Sequence, residues 1–377
     1  MSNTIELKPK RTRGPRGAAP EKLRVLVVDD DHSILEILKS ALSLPQDLDV
    51  AVSDNAADAI SQITRSESPF DILMFDVNMP DMDGIALCKT IRQKPGYRDT
   101  PIIMLTAMTD RNFIDNAFVS GATDYVTKPF DFLELRSRIR AAERLAADCK
   151  QARRAPTAAH QSPDDSTPAG NLDDPFSIDG IGRVLRFSEF DNYVLQLSQG
   201  KASFSFVTAI KIQNIERIHS DLSDDDFQRT IREVATGLVQ ETAQTGEFFS
   251  YRGGGVFLCV SHGRNLDGSR LSEPTLRRRI AATQVPGQPK TKLQVITGEP
   301  ISMRSATKSG TLISLSKAVD SVLARETVSA SAGTHPNEIN RGFGAVADDP
   351  RPKFGVFDSF IRDLFRSDPQ VGKTPNN

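Results

Sequence analysis

Val25-Leu26-Val27-Val28-Asp29-Asp30-Asp31 runs four apolar residues straight into three carboxylates. An apolar run without polar alternation is expected of a strand buried on both faces of a parallel sheet, and the acids then mark its carboxyl end. Four further runs follow: Val50-Ala51-Val52, Ile72-Leu73-Met74-Phe75, Ile102-Ile103-Met104-Leu105 and Tyr125-Val126. Amphipathic stretches separate them. Ile34, Leu35, Leu38 and Leu42 recur at helical spacing, as do Leu135 and Ile139. From Leu23 to about Ala147 the pattern predicts five strands and five helices, an α/β doubly wound fold around a five-stranded parallel sheet. In such sheets the ligand site lies beyond the carboxyl ends of the strands.

Beyond that block the 377-residue chain changes character more than once. Residues 148–179, with Ala155-Pro156-Thr157-Ala158-Ala159-His160-Gln161-Ser162-Pro163 and an acidic continuation to Asp174, lack apolar periodicity and read as a flexible linker. A second, smaller α+β domain is expected over 180–328. It holds a strand at Phe204–Val207, a helix around Phe227–Val239 and a hairpin from Phe248–Arg252 through Gly253-Gly254 to Val256–Val260. Residues 329–377 read as a loose tail with an amphipathic helix near 354–366, its stripe formed by Phe357, Phe360, Ile361, Leu364 and Phe365.

Composition bounds the function. The formal net charge is −2, so no global field draws the chain to nucleic acid or anionic lipid. The exception is local: residues 1–21 read as a basic, disordered arm, and Lys8, Lys10, Arg11, Arg13 and Arg16 face only Glu6 and Glu21 there. Cys88, Cys149 and Cys259 are too few and too dispersed for a disulfide framework or a zinc site. No apolar run reaches the roughly 18–20 residues that span a bilayer, and no apolar segment follows the N-terminal charges. The expectation is a cytoplasmic protein with no membrane partner.

The polar residues that end the predicted strands converge if the sheet is parallel. Asp29, Asp30 and Asp31 end the first, Asp76 the third, Thr106 the fourth, and Lys128 follows the fifth. Each has an ordinary reading alone: a helix cap, a turn residue, a solvated charge. Together, clustered carboxylates repel one another unless a cation lies among them, and hard oxygen ligands suit Mg²⁺. A lysine and a hydroxyl beside them supply what a phosphoryl group needs, positive charge and a hydrogen-bond donor.

These residues, with Asp76-Val77-Asn78-Met79-Pro80-Asp81-Met82-Asp83-Gly84, Leu105-Thr106-Ala107 and Tyr125-Val126-Thr127-Lys128-Pro129-Phe130, resemble the receiver domain of two-component response regulators over 22–147. The resemblance implies that Asp76 is the phosphoacceptor and that Asp30 binds Mg²⁺ directly. It implies Asp29 as a ligand largely through water, with the Asn78 backbone carbonyl as a further one. Lys128 and Thr106 would meet the phosphoryl oxygens, the small Ala107 would leave room for them, and the Lys128–Pro129 bond would be cis. Thr106 and Tyr125 would form the switch acting on the face of the fourth helix, fifth strand and fifth helix. The implied partners are a sensor histidine kinase or phosphotransfer protein upstream and an unidentified protein, or a second copy of the chain, downstream.

Arg252-Gly253-Gly254-Gly255-Val256-Phe257, with Ala209-Ile210-Lys211-Ile212 upstream, partly resembles the GGDEF domain of diguanylate cyclases over 180–328. The departures carry the functional implication. Gly255 and Val256 occupy the acidic positions after Gly253 and Gly254, Lys211 occupies the position of a metal-binding aspartate, and His219 that of an asparagine for the guanine base. Gln244 and Glu247 replace the inhibitory arginine and aspartate, and the closing signature is absent around Leu323–Val328. Two-metal chemistry on a triphosphate needs carboxylates. The expectation is a degenerate, non-enzymatic output domain acting by protein contacts or dimerisation. Two alternatives are an active or nucleotide-sensing cyclase-type regulator and a DNA-binding regulator that uses the basic arm. Nucleic acid is not expected as a partner, since the arm holds no aromatic residue and precedes no helix-turn-helix pattern.

Overall fold

The computed structural model describes residues 22–43, 48–107, 111–154, 171–199, 205–262, 271–288, 290–304 and 308–332. The basic arm at 1–21, most of the expected linker and the expected helix at 354–366 lie outside the described residues. The first unit alternates β1 (Leu23–Val28), α1 (His32–Ser43), β2 (Leu48–Ser53), α2 (Ala56–Arg65), β3 (Ile72–Asp76), α3 (Gly84–Arg92), β4 (Ile102–Thr106), α4 (Arg111–Val119), β5 (Asp124–Thr127) and α5 (Phe132–Arg154). All five strands pair in parallel in the order β2-β1-β3-β4-β5. Leu26, Leu73 and Met104 face α2, α3 and α4, whereas Val27, Met74 and Ile103 face α1 and α5. The apolar runs are continuous because alternate residues enter two different cores.

Local signals set several helix starts. The Asn55 side chain accepts from the Asp58 N–H to open α2, and Asp83 accepts from the Ala86 N–H to open α3. Helix α5 continues to Arg154, past the boundary expected at 147. Ala142 and Ala146 keep its inner face buried, and Lys150 pairs with Asp71 at 2.9 Å. The expected linker is therefore helix over its first turns.

The second unit is built from α6 (Phe187–Gln199), β6 (Ser205–Ile212), α7 (Ile215–Ser220), α8 (Asp224–Glu241), β7 (Phe248–Tyr251), β8 (Val256–His262), α9 (Glu273–Ile280), β9 (Val295–Thr297), β10 (Ile301–Ser302) and α10 (Lys308–Ala332). Its sheet is antiparallel, ordered β10-β6-β8-β7 with β9 also on β6. Helices α6 and α10 cover one face, with Val207, Ala209, Phe248 and Leu258 beneath them; α8 and α9 cover the other, over Ile210, Ile212, Phe257 and Cys259. Three aspartates in the first turn of α8 and the Ser223 cap favour its positive end. The unit is α+β, with more strands and helices than the sequence pattern gave away, and α10 runs past the boundary expected at 328.

Residues 171–179 correct the other end of the linker. They pack on the second unit, with the Gly254 N–H donating to the Leu172 carbonyl at 2.8 Å and the Phe176 ring 4.9 Å from Tyr251. Leu172, Phe176 and Ile178 anchor this acidic stretch on the apolar face below it. One apolar cluster also runs unbroken from Phe118 and Tyr125 in the first unit to Tyr193, Phe248 and Val260 in the second. The two units thus share a core, each fully buried aromatic in it contributing roughly 2 kcal/mol.

Candidate functional site at the strand ends

The parallel sheet brings Asp29, Asp30, Asp76, Thr106 and Lys128 to one edge, where carboxylate oxygens of Asp29, Asp30 and Asp76 lie within 4.8 Å of one another. Lys128 Nζ donates to Asp29 Oδ2 at 2.6 Å and meets Asp76 Oδ1 at 2.7 Å. The other Asp76 oxygen, Oδ2, accepts from the Asn78 N–H at 3.0 Å. Thr106 is buried at the end of β4, one residue beyond Leu105, the partner of Asp76, and Ala107 follows it exposed. The Lys128 N–H donates to the Thr106 carbonyl at 2.7 Å, and the Lys128–Pro129 bond is cis. Tyr125, on β5, is buried with Phe118 edge-on at 6.5 Å.

The three consecutive aspartates divide their work. Asp31 takes the ordinary role of a cap: its carboxylate accepts from the Ser33 N–H at 2.8 Å, and that bond holds its pKa low. Asp29 turns inward and is wholly buried, while Asp30 stays exposed at the rim. Burial raises the Asp29 pKa, outweighing its bonds from Lys128 and from the Asp31 N–H. Burial alone would depress Lys128, but its hydrogen bonds to Asp29 and Asp76 prevail and raise it. The partners move the same way because one ammonium is shared between two carboxylates and cannot fully offset the burial of the inner one. Three carboxylates against a single ammonium leave a site that favours a further small, hard cation.

Gly84 fixes the loop beside Asp76. A Cβ there would lie 2.0 Å from the Asp76 carbonyl oxygen, and the Gly84 N–H donates to the Val77 carbonyl at 3.0 Å. Only glycine lets α3 start this close to the strand end.

The second unit's sequence-selected residues form a different environment. Gly253, Gly254 and Gly255 have φ of 84, 56 and 70°, the left-handed turn that joins β7 to β8. Lys211, buried at the end of β6, donates to the Gly254 carbonyl at 2.5 Å, with Glu216 at 3.7 Å and Glu326 at 4.0 Å. Val256 packs in the core, and the His219 ring stands edge-on to Phe227 at 4.8 Å. Val256 is the register partner of Lys211 across the β6–β8 pair, and its side chain offers no ligand atom.

Sequence reading missed the residues of α6 that meet the first unit, among them Asn192, Tyr193 and Gln196. Polar side chains on a helix with buried Phe190, Val194 and Leu197 were the available signal, and they name no partner.

Residues 25–140 match the response regulator receiver domain. The chain is 41% identical over 123 residues to the transcriptional regulatory protein KdpE of Staphylococcus aureus, covering 33% of this chain and 51% of that protein. It is 31% identical over 251 residues to the DNA-binding transcriptional regulator NtrC of Proteus hauseri, covering 63% of this chain and 50% of that protein. The chain thus spans about half the length of these curated relatives. Among solved structures, the chemotaxis protein CheY4 of Vibrio cholerae shares 30% identity, covering 32% of this chain and 99% of that chain, at a TM-score of 0.31. The response regulator DrrB of Thermotoga maritima shares 31%, covering 32% of this chain and 52% of that chain, at 0.29. Among the described residues no helix is long and apolar enough to cross a membrane.

Proposed function

With residues 25–140 a response regulator receiver domain, we propose that this chain is a phosphorelay switch whose phosphoacceptor is Asp76 and whose second unit passes the signal on by protein contacts. The observation that carries the reading is the gathering of Asp29, Asp30 and Asp76 within 4.8 Å, with Lys128 2.7 Å from Asp76. A histidine kinase or phosphotransfer protein presents a phosphohistidine, an Asp76 oxygen attacks phosphorus in line, the P–N bond breaks and an acyl phosphate forms. Lys128 balances charge on the transferred group, and the Asn78 N–H holds the second Asp76 oxygen in place. The acidic set fits Mg²⁺, which Asp29, Asp30, Asp76 and the Asn78 carbonyl would hold and which, bound, neutralises phosphoryl charge. Positioning and electrostatics are the remaining work of the protein.

The phosphoryl group replaces one negative charge by about two and adds strong acceptors. Thr106 donates to it, and Thr106 with the buried Tyr125, two residues before Thr127 on the neighbouring strand, forms the switch. The second unit we read as a cyclase-type scaffold without cyclase chemistry. Lys211 is a cation where a metal ligand would be needed, and neither Gly255 nor Val256 offers a ligating side chain. Its output is contact with an unidentified protein or a second copy of the chain.

Incubation of the full chain with acetyl phosphate and Mg²⁺, followed by intact-mass and peptide analysis, tests the assignment. The expected result is one phosphoryl group, mapped to Asp76 and lost in Asp76→Asn; undiminished labelling of that variant overturns it.

A further inference from the structure

Helix α6 belongs to the second unit, yet its polar side chains reach into the first. Gln196 Nε2 donates to the Asp124 carboxylate at 3.2 Å and to the Tyr125 carbonyl at 3.1 Å. Asn192 Nδ2 donates to the Thr123 carbonyl at 3.0 Å. Thr123, just before β5, and the first two residues of the strand, Asp124 and Tyr125, are thereby held from the same helix.

Tyr193 extends the seat toward α4. Its hydroxyl donates to Asp115 Oδ1 at 2.8 Å and lies 2.9 Å from His262 Nε2. With its single proton given to a carboxylate, the phenol accepts from Nε2–H, and His262 Nδ1 accepts from the Ser205 hydroxyl at 2.8 Å. The four groups are buried and come from both units. The Tyr193 ring stands edge-on to Phe118 at 5.2 Å and tilted on Phe248 at 4.5 Å, while Phe118 meets Tyr125 at 6.5 Å. An aromatic row thus joins β5 of the first unit to β7 of the second.

The same short strand carries the phosphoryl pocket. Tyr125 pairs with Met104 and Thr127 with Thr106, and Lys128 follows at once. A displacement of 123–125 reaches Thr106 through its pairing with Thr127 and Lys128 along the chain, because close-packed interiors transmit strain. The seat of α6 therefore biases which arrangement of the pocket is populated.

Resting on the assignment of Asp76 as phosphoacceptor, we infer that Gln196 and Tyr193 are positioning residues of the receiver's switch, which hold β5 with Tyr125 buried so that docking of the second unit and phosphorylation of Asp76 strengthen one another. Such coupling is reciprocal: whatever factor docking adds to phosphoryl affinity, the phosphoryl group adds to docking.

Beryllofluoride with Mg²⁺, a stable mimic of the phosphoryl group, tests this on the full chain by calorimetric titration. Gln196→Ala and Tyr193→Phe should each weaken beryllofluoride binding by about five-fold, the lower end of typical coupling between sites. Arg217→Ala, on an exposed side chain of the second unit, should leave it unchanged. In the unsubstituted chain, beryllofluoride should slow amide exchange across 187–199, and it should not do so in Asp76→Asn. Equal affinity in both α6 variants, or faster exchange of α6 on binding, overturns the inference while leaving the phosphoacceptor in place. No beryllofluoride binding by the unsubstituted chain overturns the phosphoacceptor reading itself, and this inference with it.

Discussion

Each unit places a lysine near the end of a strand, Lys128 just past the edge strand β5 and Lys211 next to last in β6, and the two lysines do opposite things. Lys128 lies among carboxylates, 2.6 Å from Asp29 and 2.7 Å from Asp76, with Asp30 at the open rim. Lys211 gives its closest bond to a backbone carbonyl, that of Gly254 at 2.5 Å, and its two glutamates stay at 3.7 Å or beyond. The first arrangement has surplus negative charge and an exposed acid, which suit a small, hard cation and, under the proposed function, an incoming phosphoryl group. The second is closed on itself: the ammonium ties the glycine turn to β6 from within. A lysine near a strand end thus faces carboxylates in one unit and a backbone carbonyl in the other, and what it can do is decided by what stands within hydrogen-bond distance.

Substituting the two lysines should separate these roles most widely. Lys128→Ala is expected to lower acetyl phosphate labelling by about 100-fold, the usual loss when a charge-stabilising donor is removed. Lys211→Ala should leave labelling unchanged and destabilise the second unit by about 3 kcal/mol, from an unpaired buried carbonyl and a cavity, seen in denaturant unfolding. Equal loss of labelling in both variants would erase the distinction.

Two glycines sharpen the scaffold side. At Gly253, with φ of 84°, a Cβ would lie 2.1 Å from the Asp173 carbonyl oxygen, so Gly253→Ala must displace the 171–176 segment as well as strain the turn. A loss of roughly 2–3 kcal/mol is expected by thermal unfolding. Gly287 has φ of 68° but nothing within 4 Å of the added carbon, and Gly287→Ala should cost about 1 kcal/mol.

The smallest effect concerns pH. Glu273 accepts from Thr297 through both its N–H and its hydroxyl and pairs with Arg325 and Arg277, and these bonds hold its pKa below the ordinary glutamate value against opposing burial. A depressed folded pKa contributes stability that is complete above the unfolded value, about 4.3, and is lost as pH falls through the folded one. Glu273 is partly exposed, so the contribution is about 0.5 kcal/mol. Glu273→Gln should flatten the acid limb of a stability-against-pH curve by that amount; an unchanged limb would show the bonds to be worth nothing.

Sequence alone determined the first unit. Runs such as Ile72–Phe75 and Ile102–Leu105, closed by Asp76 and Thr106, state both the strand and the side of the sheet where its polar end emerges, because parallel pairing puts every carboxyl end on one edge. It also placed a turn at Gly253-Gly254, whose left-handed backbone the structure extends to Gly255. It misjudged 148–154 and 171–179, where small or acidic residues hide the few apolar contacts that hold the chain. Tertiary structure alone decided that Asp31 caps α1 while Asp29 turns inward, and that α6 seats on β5. Periodicity reports that a face is buried, but which distant surface buries it depends on shape and on the pairing of groups such as Tyr193, Asp115 and His262, which are separate in sequence and meet only after the units pack.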